Sequence, residues 1–173
     1  MRPDQTDFLN VMTSFPTGVV VVTTVDGNGD PWGLTSNAVA SVSVDPPMLL
    51  VCVAKTSRTL PALLERRGFL VNFMSDRSAE ICERFASKLD SKAKFEASSW
   101  QPSALGHPYL ADDSVAYADC ETETEVEAGS HLILVGRVVT SAVTDPAREP
   151  LAYVRRSYKS WGDAAAVVAQ FKE

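Results

Sequence analysis

The amino-acid sequence predicts a mainly β protein with short helices, arranged as a closed or nearly closed antiparallel barrel. Three observations predict it: strand-like segments outnumber helical ones, the helical segments are short, and the two kinds do not alternate regularly. Regular alternation would favour a doubly wound parallel sheet, whereas many short strands separated by turn residues favour a barrel. We find no internal repeat or linker and expect one domain over residues 1–173.

A short amphipathic helix is expected near the start of the chain. The apolar residues that recur there at helical spacing are Phe8, Val11, Met12 and Phe15. Pro16-Thr17-Gly18 then ends the helix. The following run, Val19–Val25, is rich in β-branched residues, and Asp26–Asp30 supplies residue types that tolerate positive φ. This pattern indicates a strand followed by a tight turn.

Two more strands are expected in the first third of the chain. One extended segment runs from Trp32 towards Val44, where Asp45-Pro46-Pro47 breaks it. The apolar run Met48–Val53 then predicts a buried central strand.

Two short helices and a strand follow. Thr59 is typical of a helix cap, and Arg66-Arg67-Gly68 ends that helix with positive charge and a glycine. The segment Phe69–Met74 predicts a strand. Ser78 begins a second helix, which has three apolar residues on one face: Ile81, Cys82 and Phe85.

The last part of the chain combines an irregular segment with a long hairpin. Residues from about Lys88 to Asp113 show no period, which predicts a long surface excursion, and such loops are often functional. Ser114–Glu127 and His131–Val143 each alternate between apolar and polar residues, and Ala128-Gly129-Ser130 lies between them. The two segments therefore predict a paired hairpin.

Charge and cysteine content argue against several kinds of partner. Sixteen basic and 22 acidic residues give a net charge of −6, and no basic cluster tracks a phosphate backbone, so nucleic acid is not expected. No apolar stretch approaches the roughly 20 residues that span a bilayer, so we expect a cytoplasmic protein without membrane contact. The widely separated Cys52, Cys82 and Cys120 are interpreted as small buried residues. With only two histidines, His107 and His131, no metal site is expected.

A polar string interrupts the apolar strand region at Gly33–Ser41. It offers hydroxyls and an amide in a row, with small neighbours that allow close approach. A flat polar heterocycle could lie against it. Thr35, Ser36 and Asn37 are equally typical of a turn or bulge, and composition does not decide between the two interpretations.

The order of several motifs resembles the flavin reductase-like family over roughly Phe8 to Tyr158. The matching segments are Phe15-Pro16-Thr17-Gly18-Val19-Val20-Val21-Val22-Thr23-Thr24, Gly33-Leu34-Thr35-Ser36-Asn37-Ala38, Ser41-Val42-Ser43-Val44-Asp45-Pro46-Pro47, Val71-Asn72-Phe73-Met74, Arg84-Phe85-Ala86, Lys94-Phe95 and Gly129-Ser130-His131-Leu132-Ile133-Leu134-Val135-Gly136-Arg137-Val138. Each segment alone is weak, but their shared order is specific to the family.

The resemblance implies a split β-barrel that binds flavin. Members of the family reduce free flavin (FAD or FMN) with a nicotinamide cofactor, and pass the reduced flavin to a separate flavin-dependent monooxygenase. The resemblance also implies a homodimer. We expect NADH for this chain because the family suggests it. The sequence does not decide whether there is room for the adenosine arm of FAD, and of the two flavins we expect FAD.

The resemblance also implies which positions bind the cofactors. The flavin ring is expected at Thr35, Ser36, Asn37 and Ala38. The flavin phosphate region is expected at Ser41, Ala54, Lys55, Ser57 and Thr59, where a lysine and a helix start would favour an anion. Further contacts are expected from Phe85, Ala86 and Lys94. For Phe85, core packing is an equally good interpretation, and for Lys94 a solvated lysine is the commoner case.

His131 occupies the family's Gly-Asp-His position, where the histidine lies beside the nicotinamide and the flavin. Ser130 replaces the usual aspartate, so a weaker neutral hydrogen bond is expected at that point. Tyr158 matches a late aromatic residue near the nicotinamide. We assign His131, the one predicted catalytic residue, to placing the rings rather than to proton transfer, because hydride transfer is chemistry of the cofactors themselves.

Two other functions fit the same fold. One is a flavin-binding electron carrier or sensor without reductase activity, since fold does not fix function. It would retain its flavin tightly and would not oxidise a nicotinamide. The other is a flavin-free barrel that uses residues 97–113 for protein contacts.

Overall fold

The computed structural model describes residues 4–160 of the chain. The helices of this part are α1 (Gln5–Thr13), α2 (Leu60–Arg66), α3 (Ala79–Ala86) and α4 (Ser91–Glu96). The strands are β1 (Thr17–Gly18), β2 (Val20–Val25), β3 (Pro31–Ser36), β4 (Val39–Val44), β5 (Pro47–Ala54), β6 (Gly68–Met74), β7 (Gln101–Pro102), β8 (Pro108–Tyr109), β9 (Ser114–Ala128), β10 (His131–Val143), β11 (Leu151–Val154) and β12 (Ser157–Ser160). The prediction of a mainly β protein with short helices is confirmed.

One seven-stranded antiparallel sheet organises the fold, in the order β3-β2-β6-β9-β10-β5-β4. The predicted hairpin is its longest pairing, with His131 opposite Ala128 and Val143 opposite Ala116. Smaller sheets are formed by β1-β11-β12 and by β7-β8. Because β3 and β4 stand at the two ends of the order yet follow one another in the chain, the sheet curves to bring its ends together. The split barrel implied by the resemblance remains a prediction.

The valine run of β2 is apolar on both faces because both faces are buried. Val20 and Val22 belong to one apolar cluster with Phe69 of β6, while Val19 and Val21 belong to a second cluster. A strand between two packed layers has no polar face, which explains the continuous β-branched run.

β5 is buried on one face only. Leu49, Val51 and Val53 point into the core, whereas Leu50 and Cys52 are half-buried on the opposite, outer face. The prediction of a buried central strand is therefore correct for one face. Cys52 differs from its expectation, since Cys82 and Cys120 are buried but Cys52 lies partly open on this outer face.

The extended segment expected from Trp32 to Val44 is two strands. β3 pairs with β2 and β4 pairs with β5, so the chain crosses between the two ends of the sheet at Asn37 and Ala38. The expectation of a single strand was wrong, because the chain leaves β3 at the polar residues Ser36 and Asn37 and begins a new strand at the other end of the sheet.

The segment from Lys88 to Asp113 is not a pure surface excursion. It contains α4, whose Lys94 and Phe95 are buried, and the β7-β8 hairpin, after which Leu110 is fully buried. The expectation was wrong because a six-residue helix is too short to show a clear apolar period.

The predicted N-terminal helix is present as α1, and Asp4 caps it by accepting a hydrogen bond from the N–H of Thr6. None of its residues is buried, although it has four large apolar side chains: Phe8, Leu9, Val11 and Met12. Within residues 4–160, no helix is long and apolar enough to cross a membrane.

Candidate active site

The polar string and His131 flank the same strand. The carbonyl oxygen of Ala38 accepts a 2.9 Å hydrogen bond from the N–H of Cys52 in β5. On the other side of β5, His131 lies directly opposite Ala54. The N–H of Lys55 also donates to the carbonyl of Ser130, at 2.9 Å, and ties the hairpin end to the end of β5.

Ala38 and His131 also lie on the same face of the sheet. Residues directly opposite in an antiparallel pair project to the same side, and the side alternates along each strand. His131 therefore shares the outer face of Ala54 and Cys52, and Ala38 shares it as well because its neighbour Val39 packs against the core. Ala38 and His131 are two strand spacings apart across the sheet and two residues apart along β5, so their Cα atoms lie roughly 12 Å from each other.

A large cavity lies beside β5, where outer-face residues such as Ala38 and Cys52 meet core residues such as Val20 and Leu49. His131 is not part of its wall. The cavity has a volume of about 850 Å³ and is lined by α1, by the segment around β1, by the polar string and by β5. The sequence-predicted residues on its wall are Asn37, Ala38 and Ser41, with Leu49 opposite Ser41 in the β4-β5 pairing. The wall is mainly apolar with polar groups at one rim, as in sites for flat cofactors.

The three polar side chains of the string have different partners. The Thr35 hydroxyl donates to the carbonyl of Cys82 at 2.5 Å and so anchors β3 to α3. Ser36 Oγ accepts the N–H of Ala38 at 3.1 Å and shapes the crossing. Asn37 donates from Nδ2 to Thr17 Oγ1 at 3.1 Å, and its side chain is exposed at the cavity. The turn interpretation and the binding interpretation are thus compatible.

The residues after β5 form a tight loop. The N–H of Ser57 donates to the carbonyl of Ala54 at 2.8 Å, and Ser57 Oγ accepts the N–H of Thr59 at 3.3 Å. Lys55 lies at the surface and pairs with Glu127 at 2.9 Å. This contact, first through its hydrogen bond and then through its charge, lowers the pKa of Glu127. Lys55 and Arg58 are the exposed cations of this loop, and Lys55 is paired with a carboxylate whereas Arg58 donates to the carbonyl of Leu89.

Three predicted binding residues have buried side chains and protein partners. Thr59 does not cap α2 with its side chain; its hydroxyl donates to the carbonyl of Gly33 at 3.1 Å. Phe85 packs edge-to-face against Phe95, with ring centroids 4.9 Å apart. Lys94 Nζ donates to the carbonyl of Phe85 at 2.8 Å, and burial, with the nearby Arg58, lowers its pKa. The solvated Lys94 that the sequence allowed is not observed.

Ala86 and Tyr158 meet at a second cavity of about 660 Å³. Glu83, Ser87, Tyr153, Arg156 and Ser157 complete its wall. The ring of Tyr158 packs against that of Tyr153 at 5.3 Å, and burial raises the pKa of Tyr158 to about 12. Its hydroxyl therefore remains a hydrogen-bond donor at neutral pH. Tyr153 also lines the larger cavity, so one side chain separates the two.

His131 is exposed at the start of β10. Its Nδ1 lies 3.0 Å from Ser130 Oγ, which is the neutral hydrogen bond expected where the family has an aspartate. Within residues 4–160 no group of His, Cys, Asp and Glu side chains is arranged to hold a metal ion. The exposed imidazole is free to contact a ligand on the outer face.

Three residues of the cavity walls were missed from the sequence. Thr17 holds Asn37, Cys52 lies beside Ala38, and Tyr153 separates the two cavities. Thr17 stands inside the motif Pro16-Thr17-Gly18, so its position in that motif was an available signal. Nothing in the sequence around Tyr153 marked it out, because β11 meets β1 only through tertiary pairing.

Comparison with known proteins agrees with this geometry. Residues 12–162 match the family model described as flavin reductase like domain. The "Flavin reductase (NADH)" of Kitasatospora aureofaciens is 43% identical over 159 residues, which are 91% of this chain and 82% of that protein. The "Flavin-dependent monooxygenase, reductase subunit HsaB" of Rhodococcus jostii (strain RHA1) is 37% identical over 90% of this chain and 77% of its own length.

A solved structure shows the same fold. The NADH:FAD oxidoreductase SgcE6 of Streptomyces globisporus C-1027, in complex with NAD and FAD fragments, superposes with a TM-score of 0.83 at 30% identity. The match covers 90% of this chain and 92% of that one. The resemblance drawn from the sequence is therefore confirmed, and the chain belongs to the flavin reductase-like domain family.

Proposed function

We propose that this protein reduces free flavin with NADH by hydride transfer and supplies the reduced flavin to a separate flavin-dependent monooxygenase. One observation supports this proposal above all. Ala38 of the polar string and His131 flank β5 on a single face, and Asn37, Ala38 and Ser41 line a largely apolar cavity of about 850 Å³ next to that strand.

The residues present fit a flavin. An apolar wall suits the body of a flat heterocycle, and hydrogen-bonding groups at one rim suit its polar edge. Asn37 and Ala38 would hold that edge, with Thr35 and Ser36 setting the shape of the crossing. Ser41 and Ala54 would line the approach to the phosphate region, where Lys55 and Ser57 provide a cation and a hydroxyl.

The buried residues act as supports. Thr59, Phe85 and Lys94 join β3, α2, α3 and α4 beneath the polar string. They would keep the position of Gly33 and the end of α3 fixed, so that Ala86 keeps its place at the second cavity. Their effect on flavin binding would be indirect.

The nicotinamide side is assigned to His131 and Tyr158. When both nucleotides are bound, the nicotinamide supplies a hydride and the flavin accepts it. His131 would place the nicotinamide over the flavin, held by Ser130, and Tyr158 would close the opposite side with its ring. Stacking the rings and excluding water are the contributions required of the protein.

FAD and NADH are the proposed pair. The named activities of the K. aureofaciens and S. globisporus relatives favour NADH, and that of the S. globisporus protein favours FAD. A monooxygenase partner is favoured by the R. jostii relative, which is a reductase subunit.

A homodimer is the proposed assembly. The exposed apolar side chains of α1 and of the strands around β5 are too many for a free surface. They are Phe8, Leu9, Val11, Met12, Phe15, Val42, Val44 and Val126. A second copy of the chain would cover them and would help to close the cavity.

The test is NADH oxidation by the purified protein with and without added FAD or FMN. Oxidation that depends on added flavin is the expected result, and absence of oxidation with either flavin contradicts the proposal. Tightly retained flavin without NADH oxidation would favour the electron-carrier alternative.

A further inference from the structure

The turn between β11 and β12 places two arginines in an unusual conformation. Val154 pairs with Ser157, so Arg155 and Arg156 form a two-residue loop. Their φ angles are 50° and 62°, the signs that a type I′ turn requires at both positions. Asn-Gly is the favoured sequence there, because a side chain with a Cβ is strained at positive φ. Two arginines at these positions suggest that their side chains have a function.

The two guanidinium groups are available for a ligand. Both side chains are exposed, and neither forms an ion pair with any carboxylate of residues 4–160. The turn itself is fixed, since the N–H of Arg155 donates to the carbonyl of Thr13 at 2.7 Å.

The turn lies next to the proposed nicotinamide position. Arg156 lines the second cavity together with Tyr158, Ala86 and Glu83. Tyr153 is common to this cavity and the larger one. A dinucleotide with its nicotinamide at Tyr158 would therefore have a phosphate within reach of the turn, whereas Lys55 and Ser57 serve the flavin phosphates from the loop after β5.

We propose that the Arg155-Arg156 turn binds a phosphate of the nicotinamide dinucleotide and determines which dinucleotide the protein prefers. This inference depends on the proposed function. Guanidinium groups recognise phosphate by paired, charge-assisted hydrogen bonds. Glu83, which also lines this cavity, would repel phosphate and so favour binding at the arginines.

The first test is direct titration of the wild type, Arg155→Gln and Arg156→Gln with NADH and NADPH by calorimetry. Each glutamine variant should raise the Kd about tenfold or more, since a hydrogen bond to a charged group contributes at least about 1.5 kcal/mol. An equal rise for both dinucleotides assigns the contact to the pyrophosphate. A rise for NADPH alone assigns it to the 2′-phosphate. The proposal would be overturned if the Kd values of the variants for both dinucleotides were unchanged, or if the variants bound only flavin more weakly. It would also be overturned if the wild type bound neither dinucleotide.

A second variant separates binding from folding. Arg155→Asn combined with Arg156→Gly gives the sequence that a type I′ turn prefers, so its Tm should rise by a few degrees while its Kd for the dinucleotide rises as in the glutamine variants. A turn with only a structural role would leave the Kd unchanged. Lys92→Gln, which removes an exposed charge elsewhere, should alter neither quantity. Failure of NADH oxidation in the wild type would contradict the proposed function. The titrations measure the Kd for the dinucleotide and do not require catalysis, so they test the turn separately.

Discussion

Lys94 Nζ donates a 2.8 Å hydrogen bond to the carbonyl oxygen of Phe85, and both residues are buried. The last carbonyls of a helix lack partners within it, so α4 supplies the donor that the end of α3 needs. Lys94→Met should lower the free energy of unfolding by about 1–3 kcal/mol, because the carbonyl is left unpaired in the interior. Denaturant titration measures this, and the exposed Lys92→Met is the control. Equal stability of both variants would show that the bond contributes nothing.

The absence of a side chain at Gly33 leaves room for the rings of Phe85 and Phe95. A Cβ at this position would lie 2.7 Å from Phe85 Cε1 and 3.3 Å from Phe95 Cζ. Gly33→Ala should therefore destabilise the protein by about 1–3 kcal/mol through overpacking, and weaken flavin binding because β3 leads into the polar string. Thermal unfolding and flavin titration measure the two effects. Gly18→Ala, where the Cβ would meet no atom within 4 Å, should keep the wild-type Tm.

The carboxyl group of Asp119 makes the free energy of unfolding depend on pH in the acid range. Burial tends to raise the pKa of this carboxyl, but hydrogen bonds from His107, Ser103 and the N–H of Leu105 together hold it below its ordinary value of 3.8. Its contribution is complete above pH 3.8 and is lost as the pH falls through the lower folded value. Asp119→Asn should cost about 1–3 kcal/mol at neutral pH, because the buried donors around the carboxylate lose a charged acceptor, and it should flatten the fall in stability below pH 3.8.

Unfolding free energies measured across this pH range test that prediction. Asp145→Asn, at an exposed ion pair with Arg148, should leave the pH dependence as in the wild type. An Asp119→Asn variant with an unaltered slope would mean that another carboxyl is responsible.

His131 is expected to place the nicotinamide without transferring a proton. His131→Asn should raise the KM for NADH about tenfold and keep kcat within about threefold, since it removes a positioning contact. Ser130→Ala should produce a smaller change in the same direction, because only the 3.0 Å contact to the imidazole is lost. Steady-state kinetics at saturating flavin measure both. A loss of kcat of about a hundredfold or more with unchanged KM would instead indicate proton transfer.

The exposed apolar surface predicts self-association. Phe8→Glu and Val126→Glu, at side chains 58% and 45% exposed in the single chain, should shift the protein from dimer to monomer. A charge in an apolar interface is costly to bury, which is the reason for the shift. Light scattering after size exclusion measures the mass. Leu89→Glu, also exposed but distant in the chain from both elements, should remain dimeric. A monomeric wild type would contradict this prediction.

The sequence was sufficient where periodicity reports burial directly. β2, β9 and β10 have nearly the bounds that were expected. A run of valines and two segments that alternate between apolar and polar residues are compatible with few structures other than strands. It was insufficient at Lys94, since a lysine is normally solvated and its burial depends on the unpaired carbonyl of Phe85 in another helix.

The candidate site shows the same division. The polar string and His131 were identified from the sequence through the family's motifs, but their common strand, β5, was not. Thr59 was expected to cap α2, whereas its hydroxyl is bound to Gly33, a contact that only the packing of β3 on α2 creates. Tyr153 joins the site by tertiary pairing of β11 with β1, which local sequence does not encode.

The most direct test of the account is an anaerobic single turnover with NADH carrying deuterium on one or the other face of nicotinamide C4. If the site beside β5 fixes the nicotinamide and flavin rings against each other, added FAD or FMN should bleach rapidly, and deuterium should be lost from one face of the nicotinamide only. Absence of bleaching, or loss from both faces alike, would contradict a shared site beside β5.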